Sequence, residues 1–194
     1  MPAPRDRIMM VATDEGAALL TAGRAHLLAF ELDQAAAQFE RLAELEPGGP
    51  AAYHHLATIA LWRGLVTEDA RHFDAFFDWS DRTEAALDDA AASPWRGLIA
   101  AERELSRATA HLKLAQYTRA ALAGRAAFRG FERLVRDHPD FHDAYKGLGL
   151  CHVAVDIQQR HRPQYVVKQL KPASQEQTFL TVARRLFDTE SKTL

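Results

Sequence analysis

Nine histidines in 194 residues make a bound metal the first chemistry to weigh. His54 and His55 are adjacent, so on a helix they leave from different faces and do not chelate together. Asp69 and His72 are one helical turn apart, which puts a carboxylate and an imidazole on one face, the pairing used inside helical bundles to hold metals. His54, Asp69 and His72 are therefore the ligand set that a helical-bundle metalloprotein or hydrolase would use. That pair has no second copy. There is no His-Glu-x-x-His motif, and Cys151 is the only cysteine, so a Cys/His cluster is ruled out. The preferred reading is that no metal or cofactor is bound and that Cys151 is a small buried hydrophobe.

Other chemistry is no better assembled. Asp74, Asp78, Asp81, Glu84, Asp88 and Asp89 follow a helical period, which reads as a solvated face and not as a general acid and base. No Gly-x-Ser-x-Gly, phosphate loop or dinucleotide fingerprint occurs, so the chain is read as non-enzymatic. Arg119, Arg125, Arg129, Arg133 and Arg136 share one segment, but Glu132 and Asp137 interrupt them. With a net charge of −2, no global field favours nucleic acid.

The elements that must position these residues are helices. The composition is 47% hydrophobic, rich in Ala and Leu and sparse in β-branched residues, which predicts an all-α chain forming one domain. Residues 1–11 are read as a flexible lead-in. Thr13 or Asp14 caps a first helix that runs to about Phe30, and a second covers 33–45 before Pro47-Gly48-Gly49-Pro50. Pro50 opens a third, 50–63, which Gly64 is expected to end. Thr67 opens a long helix to about Ala91. Ser93-Pro94 starts another that reaches about Leu114, and helices 118–137 and 140–156 follow. Short helices over 164–170 and 174–188 bring the count to about eight or nine.

Two of these stretches say the same thing. Ala35 to Leu56 and Ala127 to Leu148 align without a gap at a shift of 92, with nine identities in 22 positions. The matches include Ala35 with Ala127, Phe39 with Phe131, Pro47 with Pro139 and Tyr53 with Tyr145. They fall at helix-packing spacings on either side of a proline-marked turn, the mark of a repeated helix–turn–helix.

The pattern Leu19, Ala22, Gly23, Ala35, Phe39, Pro47, continued by Tyr53, Leu56, Ala57 and by Tyr145, Leu148, Gly149, His152, resembles the tetratricopeptide repeat. The resemblance is close at both ends of 16–152 and weak in between, where the shift exceeds two 34-residue repeats by 24 residues. Longer helices between Leu65 and Gln116 are expected to absorb the excess. The resemblance implies a right-handed α-solenoid of antiparallel helix pairs, with repeats over about 12–47, 48–92, 93–139 and from 140 to 156 onward. Residues 157–194 would be divergent C-terminal helices, a cap or a shortened repeat. It implies that Gly23, Ala57 and Gly149 let paired helices approach, and that the first helix of each pair lines a concave groove.

Carried over position by position, that groove takes Leu20, Arg24 and Leu27 from the first repeat. It takes His54, Thr58 and Leu61 from the second, with Trp62 reaching in, and Asp143, Lys146 and Leu150 from the last. Arg96 and Arg103 follow if Trp95 is the motif aromatic of the elongated pair. The expected function is a scaffold that binds a peptide or helix of another protein, with no membrane span. The chain contains no asparagine, and Leu150 stands where a clamp asparagine would be expected, so chaperone co-factor work is not implied. The metalloprotein reading and a structural role, self-associating through the C-terminal face, remain the alternatives. The apolar run before Asp14 is too short for a secretory core, so the expected location is cytoplasmic, with a periplasmic one left open.

Overall fold

In the computed structural model, residues 10–160 are described, with side chains to 152. Within them the chain is all-helical, with seven helices: α1 (Asp14–Leu28), α2 (Leu32–Leu45), α3 (Pro50–Thr67), α4 (Ala70–Asp88), α5 (Pro94–Lys113), α6 (Tyr117–Asp137) and α7 (His142–Arg160). The helices expected over 164–170 and 174–188, and the lead-in before residue 10, lie outside the described residues.

Local chemistry accounts for most of the starts. Thr13 caps α1 by accepting the Gly16 N–H at 2.9 Å. The Glu46 carboxylate at the end of α2 accepts the Ala12 and Thr13 N–H groups at 2.8 and 2.9 Å, tying the two ends together. Ser93 caps α5 by accepting the Arg96 N–H at 3.1 Å, with Pro94 in its first turn. Residues 10 and 11 are not loose lead-in: Val11 is buried in the core beside Leu20 and Leu42.

Two ends differ from expectation. α3 runs through Gly64 to Thr67 and stops where Glu68 takes a left-handed conformation at φ 59°. Gly64 instead faces the Phe73 ring. The cap of α4 is Asp69, which accepts the Arg71 N–H at 3.0 Å, while Thr67 stays in α3 and donates to Arg63 O. A carboxylate two residues nearer the helix won over a hydroxyl already committed to the preceding turn.

Consecutive helices are joined by two to five residues, and α1–α2, α3–α4 and α5–α6 pack intimately as antiparallel pairs. Each pair also packs on the next through α2–α3, α4–α5 and α6–α7. The odd helices touch in succession, α1 on α3, α3 on α5, α5 on α7, while no even helix packs comparably on another even helix. One side of the stack is therefore tighter than the other.

The core falls into three clusters, bridged at their edges by the partly buried Trp79 and Trp95. Phe39 and Phe131, the repeated aromatics, are fully buried, as are Ala35 and Ala127 one turn earlier on the same helices. Close approach is what Gly23 supplies: a Cβ there would stand 2.6 Å from the Phe39 ring. At the other end of the stack the glycine under Phe131 is Gly147. Gly149, the residue expected to do this, has no atom near its would-be Cβ. The repeated aromatic is met from the preceding helix in one pair and from the following helix in the other.

The excess residues lie in helices, since α3 to α6 have 18, 19, 20 and 21 residues against 15 and 14 in α1 and α2. They are not confined to Leu65–Gln116. α1 and α5 end in the same turn, His26 to Glu31 and His111 to Gln116. In each, the last N–H bonds back to the histidine carbonyl, at 2.9 and 2.8 Å, and the histidine ring meets the side chain five residues on. The shift there is 85, seven short of the 92 at Phe39 and Phe131. Those seven residues are two extra turns in α6.

Candidate functional site

The odd-helix side carries most of the sequence-predicted groove residues, but not all of them face outward. Arg24 and Lys146 are exposed, as are Leu150 and Trp62, whose ring meets Phe30 edge-on with centroids 5.9 Å apart. Leu27 and Asp143 are half-buried. Thr58 is half-buried and donates its hydroxyl to His54 O at 2.9 Å. Leu20 and Leu61 are core residues at 1% and 6% exposure, because α3 covers the first and α4 and α5 cover the second. They offer nothing to a ligand.

Arg96 and Arg103 do not belong to this side. Arg96 Nε donates to Leu87 O at 2.7 Å, and Arg103 Nε donates to Ser80 O at 2.8 Å. Arg103 is buried, with its remaining nitrogens on Glu84 and Glu104. Both arginines tie α5 to α4. Asp81 and Glu84, expected to be solvated only, serve the same junction by pairing with Arg107 and Arg103.

The residue that α5 does contribute is Glu102. His54 is buried, and its Nε2 lies 3.1 Å from Glu102 Oε2. Burial works to raise the Glu102 pKa. The hydrogen bond from His54 and the positive charges of His54, Lys146 and Arg24 outweigh it, so the carboxyl titrates below its ordinary value. Glu102 of α5 is thus bonded to His54 of α3 and within electrostatic reach of Arg24 of α1 and Lys146 of α7. The signal for Glu102 was the proline, not the tryptophan. Aligning Pro94 with Pro50 places Glu102 at the position of Thr58, the same row to which the other shifts assign Arg24 and Leu150.

Beside His54, the His55 ring stacks on Phe39 at 4.5 Å and its Nε2 has no hydrogen-bond partner. Burial first, then the charges of His54 and Arg24, hold its pKa well below the ordinary 6.5. It is a neutral core residue.

The metal reading loses its site. Asp69 caps α4 and pairs with Arg71 at 2.6 Å, an interaction that holds its carboxyl at about 2. His54 sits fifteen residues earlier on the α3 path, about 22 Å along a helix axis. Among the described residues no three His, Cys, Asp or Glu side chains converge to hold an ion. The hydrogen bond that His54 makes goes to a carboxylate, not to a hydroxyl or thiol it could activate. No helix among the described residues is long and apolar enough to cross a membrane. No protein-family model matches the chain, and neither a curated protein nor a solved structure matches it.

Proposed function

We propose that this chain is a non-enzymatic interaction module of the tetratricopeptide-repeat kind, a right-handed superhelix whose odd helices line its concave side. That side binds a peptide or helix of a partner protein. The observation that carries the reading is the convergence of Arg24, His54, Glu102 and Lys146 from four successive odd helices. Two cationic side chains flank one carboxylate that His54 already engages, so the balance of the row favours acidic groups on the ligand. One or two turns further along the same helices, Leu28, Trp62 and Leu150 are exposed apolar contacts.

Arg24 and Lys146 are the residues to remove, because both are exposed and neither holds the core. His54 is not, since it is itself buried and its loss would leave the half-buried Glu102 carboxylate without its hydrogen-bond partner. In affinity capture, a partner retained by the native protein and lost from the Arg24→Ala, Lys146→Ala variant is the expected result. Circular dichroism must show both baits equally helical. An identical set of partners on both baits would place recognition elsewhere on the surface.

A further inference from the structure

A second surface lies one to two turns back from this row, where the N-terminal ends of α3, α5 and α7 meet residues 10–12. It is a cleft of about 930 Å³, the size of sites that take a drug-sized ligand or a few residues of peptide. Val11, Pro50, Ala86, Trp95 and Phe141 give it apolar walls, with the Trp95 and Phe141 rings edge-to-face at 4.9 Å. Its charge is of one sign. Among the described residues, Asp89, Asp140 and Asp143 line it, no lysine or arginine does, and His142 is the one basic side chain. None of the three carboxylates forms an ion pair with a cation among the described residues, although α5 arginines pair with Asp81 and Glu84 of α4.

We propose that this cleft binds a short extended segment of a partner protein in which Lys or Arg flanks a bulky apolar side chain. The apolar side chain would sit against Trp95 and Phe141, and the cations would meet Asp89, Asp140 and Asp143. This is the opposite charge preference to that of the odd-helix row, and it does not depend on that reading.

The test is an array of random-sequence hexapeptides, probed with the native protein and two variants. Ala91→Lys places a cation at the cleft without removing a packed side chain, since Ala91 is exposed and lines it. Arg24→Ala with Lys146→Ala disables the row. The expected result is enrichment of basic–apolar hexapeptides, lost at least tenfold with Ala91→Lys and unchanged in the row variant. Asp140→Asn with Asp143→Asn should reproduce the loss, with unfolding midpoints recorded beside it. The proposal is overturned if no basic–apolar class is enriched, if that class survives Ala91→Lys, or if it vanishes with the row variant. Competition by hexylammonium at the concentration of the best peptide would likewise overturn it, by showing a site for small cations. Enrichment of an acidic class, lost only in the row variant, would support the first site and not this one.

Discussion

At the scale of single residues, His55 is the clearest case of a polar group kept inside without a partner. Its ring is buried against Phe39, its Nε2 is unsatisfied, and its pKa is depressed. A histidine whose folded pKa lies below its unfolded value opposes folding once the unfolded chain begins to bind the proton. Stability that is fully present above 6.5 is therefore lost as pH falls below that value toward the folded pKa. Glu102 acts in a lower window, where its depressed pKa withdraws stability as pH falls below the ordinary carboxylate range. His55→Phe keeps the stack and removes both the orphaned nitrogen and the titration. It should raise stability at pH 7 by about 1 kcal/mol, because an unsatisfied buried polar group is costly. It should also flatten the decline between pH 7 and 5 in urea unfolding. A variant with an unchanged slope over that range would show that His55 is not what acid attacks.

At the scale of helices, the sequence repeat and the structural repeat are not the same object. Phe39 and Phe131 are equivalent in the alignment and equally buried, but the glycine beneath each comes from a different side. The consequence is a pair of substitutions in α7 with opposite signs. Gly147→Ala drives a methyl into the Phe131 ring and should cost about 1–3 kcal/mol as an overpacked core does. Gly149→Ala meets nothing and should stabilise α7 by about 0.5–1 kcal/mol through helix propensity. Thermal unfolding of the two variants decides the matter, and equal shifts would contradict the assignment of Gly147 as the contact residue. Cap residues were legible in the sequence at Thr13, Ser93 and Pro94, because a cap is a contact within one turn. The end of α3 was not. Gly64 is a plausible stop in isolation, but it serves the approach of Phe73, and Lys113 of α5 holds the left-handed Glu68 that ends the helix.

At the scale of the whole molecule, most helix–helix contacts fall between successive helices and successive pairs, so stability should vary along the chain. α3 is the most enclosed helix, with eleven of its 18 residues buried, and it packs on α1, α2, α4 and α5. α1 is covered by α2 and, more lightly, by α3. Native-state hydrogen exchange should find the α3 amides opening only with global unfolding, and those of α1 opening earlier. Equal protection in both helices would show that the chain unfolds as one unit in spite of its linear contacts.

What the sequence determined by itself was everything that depends on contacts within a turn or on overall pattern. The all-helical class, most of the helix starts, the burial of Ala35, Phe39, Ala127 and Phe131, and the exposure of Arg24 and Lys146 are of that kind. Rotation and termination relative to neighbours were set by packing between helices. Moving the α5 register by one residue turns a side chain by about 100° around the helix. That rotation separates Glu102, which reaches His54 on α3, from Arg103, which is buried on α4. It likewise turns Leu20 and Leu61 into core. No local signal carries that angle, because it is set by which side chains of the adjoining helices fill the space between them.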